Sequence, residues 1–171
     1  MSKIFNVNAN CIPNRHYMVN LSERLNQIKE MVDAGEYFTI HRARQYGKTT
    51  TLYLLEQQLK NRYLVIPLSF EACDELFVSL HTLATGLVRK IGRVLKALKV
   101  KQTALDDWNQ PISEQFPLDD LGERITSLCN IVDQEIVLIV DEVDKSSNNQ
   151  IFLSFLGLLR NKYLEQLKGN D

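Results

Sequence analysis

Cysteine is scarce in this chain, with three among 171 residues: Cys11, Cys73 and Cys129. They are odd in number, far apart and never in a C-x-x-C pair, which excludes a disulfide framework and a cysteine zinc site. They read as reduced thiols in or near a core, a usage that suits the cytoplasm. The three histidines, His16, His41 and His81, are equally dispersed and form no ligand pattern. No stretch approaches the ~20 apolar residues of a membrane span. The N-terminal residues lack the apolar run after a basic start that marks a secretory signal. The formal net charge is -1, so no global field draws the chain to nucleic acid or to acidic membranes. Repeats and low-complexity segments are also lacking.

What is present is ordinary for a globular protein: 44% hydrophobic and 24% charged residues. A chain of 171 residues is expected to form one domain and to bury a core without staples. Residues 1–19 are polar and read as a lead-in segment to that single domain, 1–171.

Beyond the lead-in, Leu21, Leu25, Ile28, Met31 and Val32 recur at helical spacing. Asn20 and Glu23 have the spacing of a capping box, and Gly35 supplies a stop. Tyr37-Phe38-Thr39-Ile40 is rich in β-formers and predicts a strand. A loop follows, then a helix with Leu52, Leu55 and Leu59 on one face. Residues 63–70 predict a second strand, which Pro67 demotes toward an edge. A long amphipathic pattern runs from Leu76 to Leu98, with a bend or break expected at Gly86 and Gly92. Residues 101–117 lack periodicity and read as a connector, with Trp108 plugging the edge of the core. A helix is expected from Leu118 to Val132. The unbroken run Ile136-Val137-Leu138-Ile139-Val140 predicts a parallel strand buried on both faces. A last helix spans Ile151 to Leu167. Strands alternating with helices make an α/β fold with a parallel sheet.

Two places in this order carry chemistry. The first is Gln45-Tyr46-Gly47-Lys48-Thr49-Thr50, between an expected strand and an expected helix. A phosphate-binding loop needs converging backbone N–H groups, a lysine on the β- and γ-phosphates and a hydroxyl on Mg²⁺. Gly47 lets the backbone approach, Lys48 supplies the charge, Thr49 the metal hydroxyl, and Thr50 reaches the α-phosphate side. The helix from Lys48 aims its first N–H groups at the anion. The full motif has a glycine where this chain has Arg42, so the loop match is imperfect. The second place is Asp141-Glu142, at the end of the apolar run. There Asp141 is expected to hold Mg²⁺ through a water, and Glu142 to take a proton from the attacking water. An acidic turn after a buried strand is the bland reading of either carboxylate alone. The two halves together point to Mg-ATP as ligand. A kinase would need an acceptor site and a lid, and neither is recognisable.

The run from His41 to Thr50 resembles the phosphate loop of bacterial AAA-like ATPases, in which an arginine takes the place of the first glycine. The resemblance extends to Tyr17-Met18-Val19 and the helix from Leu21, and to Ile136 through Asp144. It implies a three-layer P-loop sandwich related to the AAA+ and signalling ATPases. It also implies that residues near His16 to Val19 flank the adenine. Arg44 then touches phosphate or a neighbouring subunit, with an exposed loop arginine as the plain alternative. In that class a strand lies between the acidic strand and the phosphate-loop strand. Here one helix follows Asp144, no further strand or lid is recognisable, and Arg160 alone is left as an arginine finger. The expectation is a core truncated at its C-terminus, completed by a C-terminal domain or a partner protein. A non-catalytic nucleotide-binding or interaction module is the rival reading.

Arg89, Arg93 and Lys96 share one helical face, with Lys90, Lys99 and Lys101 nearby. The default reading is a solvated face, and nucleic acid is the alternative partner.

Overall fold

A computed structural model of the chain describes residues 20–40, 47–142 and 150–169. The chain divides into two compact units, Met1–Arg62 and Tyr63–Asp171. Each is described by itself.

In the first unit, helix α1 spans Ser22–Asp33 and α2 spans Lys48–Leu59. The capping position of α1 is Leu21, one residue later than expected, and it offers no side-chain cap. Asn20 still contributes, accepting a bond from the Ser22 N–H at 3.0 Å. The end of α1 follows the expectation for Gly35, which lies at φ 68°. The Gly35 N–H donates to the Val32 carbonyl and the Glu36 N–H reaches back to that of Met31. That pair of bonds satisfies two of the helix's last carbonyls. Leu25 and Ile28 of α1, and Leu55 and Leu59 of α2, are buried, and the two helices pack together.

Residues 36–40 form no strand, contrary to the expectation for Tyr37 to Ile40. Phe38 and Ile40 are half-buried while Tyr37 and Thr39 are exposed, so the alternation is present. β-forming residue types fit a pleated surface but do not by themselves make a strand. His41 to Tyr46, including Arg42, lie outside the described residues, as does the lead-in segment with Cys11, His16 and Val19.

The second unit contains the sheet. Strand β1, Leu64–Ser69, pairs in parallel with β2, Ile136–Asp141, with Leu64 opposite Ile136 and Ser69 opposite Asp141. The Leu64 N–H donates to the Glu135 carbonyl and the Phe70 N–H to that of Asp141. Alternation along the strand then turns the nitrogen of Pro67 away from β2, so its missing N–H costs no ladder bond. Three of the first four residues of β1 are buried. Every residue of β2 is only half-buried, which corrects the expectation of a strand covered on both faces. Among the described residues β2 pairs with β1 alone. Apolar character gave β2 its strand form without securing cover for it.

After β1 a short 3-10 turn, Asp74–Phe77, leads into α3, Leu80–Ala97. Ser79 caps α3, its hydroxyl accepting from the Thr82 N–H at 3.1 Å. The helix neither bends into two nor breaks at Gly86 and Gly92, and both glycines serve close packing. A Cβ on Gly86 would fall 2.3 Å from the Leu76 side chain, and one on Gly92 would fall 3.3 Å from the Trp108 ring.

The segment read as a connector folds a helix, α4, Gln102–Trp108. Its short length hid its period. Trp108 fills the core as expected, 1% exposed, with Nε1 donating to the Val88 carbonyl at 2.9 Å. Arg124, on α5 (Pro117–Ile131), is buried and donates to the carbonyls of Trp108, Gln110 and Pro111. These bonds satisfy the last carbonyl of α4 and two just beyond it. Helix α6, Gln150–Leu167, buries Phe152 and Phe155, and Phe152 stacks edge-on against Phe70. Among the described residues the fold is thus mixed α/β, with six helices and a small parallel sheet.

Candidate functional site

The first half of the site is the start of α2. Gly47 is the residue before the helix and takes a left-handed backbone, φ 70° and ψ 27°. Only glycine adopts that conformation without strain. Among the described residues no atom beyond its chain neighbours lies within 4 Å of where its Cβ would be, so what they show at Gly47 is a conformational requirement. Lys48, Thr49 and Thr50 form the first turn of the helix. Gly47 and Thr49 are exposed, Lys48 is half-buried and Thr50 is buried at 9%. The helix has no side-chain cap at this end, and its dipole places positive potential there. Thr51 went unnoticed in the sequence. Its hydroxyl and its N–H both bond to the Gly47 carbonyl at 2.9 Å. It thereby pins the glycine to the helix. Arg44, Gln45 and Tyr46, expected to complete the cradle, lie outside the described residues.

The second half is the carboxyl end of the sheet in the second unit. Asp141 ends β2 directly beside Ser69, which ends β1. In open parallel sheets this is the end at which ligands bind. The Asp141 carboxylate accepts a bond from the Glu142 N–H at 2.8 Å. Glu142 then takes a left-handed backbone at φ 59°. For a residue with a side chain that conformation costs on the order of 1–2 kcal/mol. Strain of this kind collects at functional corners. Lys90 of α3 reaches the same end of the sheet, its ammonium donating to the Ser69 carbonyl at 3.1 Å. Its place in a dense basic stretch gave no sign of that. Asp144 and Lys145 lie outside the described residues.

Gly47 to Thr50 are thus consecutive at one helix start, and Asp141 and Glu142 adjacent at one strand end. The two sets belong to different units. Arg160 is exposed on α6. A groove of about 440 Å³ along α5 and α6, lined by Glu123, Thr126, Ser127, Asn130, Ile131 and Lys162, contains none of the candidate residues. Cys73 and Cys129 are free thiols, the first buried and the second exposed. Among the described residues no three His, Cys, Asp or Glu side chains gather as a metal cluster. Among them also, no helix is long and apolar enough to cross a membrane.

No curated protein and no solved structure matches the chain. A family model does, that of the AAA-like domain, and the match runs over residues 12–170. It takes in the glycine-lysine helix start and the Asp-Glu strand end alike. With nearly its whole length so matched, the chain belongs to the family of AAA-like domains, nucleotide-binding modules of ATPase type.

Proposed function

We propose that this chain is a P-loop nucleotide-binding domain that takes Mg-ATP, the core of an AAA-like ATPase whose complete form hydrolyses it. In this reading residues 1–171 are a single domain of the three-layer sandwich class, of the bacterial AAA-like kind. The observation that carries it is Gly47, left-handed immediately before a helix that opens Lys48-Thr49-Thr50. That is the local geometry a phosphate cradle requires, and the family match spans it.

The roles follow from the chemistry of each side chain. Gly47, with Arg44, Gln45 and Tyr46, wraps the β- and γ-phosphates. Lys48 offsets the charge that develops on them. Thr50 adds a contact on the α-phosphate side. Thr49 offers a hydroxyl to Mg²⁺ and Asp141 a carboxylate through a water. Mg²⁺ suits so sparse a set of oxygens, because it keeps several waters and takes phosphate oxygens directly. When bound it draws charge from the γ-phosphate. Glu142 accepts a proton from water as the water oxygen bonds to the γ-phosphorus. The bond from that phosphorus to the β–γ bridging oxygen breaks, leaving ADP and inorganic phosphate.

A second reading draws on β2, half-buried throughout and paired with β1 alone among the described residues. It makes the chain a nucleotide-binding or interaction module that turns over only with a C-terminal domain or partner protein beside β2. Calorimetry of Mg-ATP binding and steady-state phosphate release separate the two readings. Binding with release supports hydrolysis by the chain itself. Binding without release supports the second reading, and absence of binding by the folded chain refutes both.

A further inference from the structure

The exposed side of α3 is basic from its middle to its end. Arg89, Arg93 and Lys96 are exposed there, and none of them makes an ion pair with the described residues. Arg93 and Lys96 stand four and seven residues after Arg89, so the three lie on one face of the helix. The helix holds no acidic residue at all. Acidic side chains do occur on flanking elements, Asp74 and Glu75 in the 3-10 turn and Asp106 and Asp107 in α4, but none pairs with the stripe. The opposite face of α3 is spent on the core, through Leu83, Leu87, Ile91 and Leu95. The charge is therefore not a by-product of an unused helix. In a chain of net charge -1 it is a local concentration of unpaired cations.

We propose that the Arg89–Arg93–Lys96 stripe binds the phosphate backbone of a nucleic acid. The stripe extends about 10 Å along the helix. At ~3.4 Å of axis per phosphate on one strand, that spans about three successive phosphates. Two of the three side chains are arginines, whose planar forks match phosphate oxygens. Its neighbours toward the helix start, Thr82 and Gly86, offer no apolar anchor of the kind protein interfaces use. The apolar face of α3 through Leu83, Leu87, Ile91 and Leu95 is buried, and the exposed Leu80 and Leu98 stand at opposite ends of the helix, so the stripe has no continuous apolar face to lay on a membrane. Recognition is by backbone and carries no sequence preference.

The test is fluorescence anisotropy with a labelled duplex and a labelled single strand of about 20 nucleotides, over a range of salt. Three neutralised phosphates give a log–log salt slope of about -2.7 on duplex, an affinity loss of about 20-fold between 50 and 150 mM salt. The variant R89A/R93A/K96A should lose at least about tenfold in affinity and flatten that slope. Its circular dichroism and Tm should match the wild type, because all three side chains are exposed. A control variant losing the same charge elsewhere, K29A/K60A/K168A, should bind as the wild type does. Lys48→Ala should also bind as the wild type does, which separates this surface from the nucleotide site. Absence of binding to either nucleic acid at 50 mM salt overturns the proposal. So does equal binding by the triple variant, or competition by polyglutamate as strong as that by unlabelled nucleic acid.

Discussion

Gly47 and Glu142 share a backbone conformation and differ in everything else. Both lie at left-handed φ, 70° and 59°. Both end a structural transition, one into a helix and the other out of a strand. At the first the chain uses glycine, the residue that meets the conformation without strain. At the second it uses glutamate and accepts a cost of ~1–2 kcal/mol. A glycine at 142 would relieve that strain, so backbone preference and residue type oppose each other there. At 47 the opposite holds, since any side chain adds strain and stands where a phosphate would approach.

This contrast is open to measurement. The largest effect is expected on turnover, where Glu142→Gln should lower phosphate release by about 10²–10⁴ while Mg-ATP binding persists. Equal turnover would remove Glu142 from the chemistry. Gly92→Val sharpens the contrast by testing a glycine of the other kind, needed for space and not for φ. Crowding of the Trp108 ring should cost about 1–3 kcal/mol in denaturant unfolding, with far-ultraviolet helicity kept. Gly47→Ala meets no atom of the described residues beyond its chain neighbours, so its cost should be the conformational one of ~1–2 kcal/mol. Its effect on Mg-ATP affinity should be larger than its effect on stability. The smallest shift is a gain: Glu142→Gly should stabilise the fold by about 1 kcal/mol and abolish turnover. A loss of stability would mean that the side chain of Glu142 supports the fold.

The sequence carried the regular parts of the fold because period and punctuation are local. Helices α1, α5 and α6 follow their apolar spacing, and β1 and β2 their apolar runs. What failed was set by partners distant in sequence. Tyr37 to Ile40 has β-forming residues and is not a strand. Gly86 and Gly92 read as breaks because their neighbours Leu76, Trp108 and Asn109 were not in view. Helix α4 is too short to display a period. The half-cover of β2 depends on what packs against it, which no residue of β2 encodes. At the candidate site the helix expected to open with Lys48-Thr49-Thr50 is there, while the strand expected before the loop is not formed by residues 37–40. The ties of Thr51 to Gly47 and of Lys90 to Ser69 are contacts that residue types alone do not announce.

The central claim is that α2 begins in a phosphate cradle, and Lys48→Ala tests it most directly. Calorimetric titration of the wild-type chain with Mg-ATP should give saturable one-site binding. The variant, with wild-type circular dichroism, should give none. Binding of equal affinity in the variant, or no binding by a folded wild-type chain, would contradict the account.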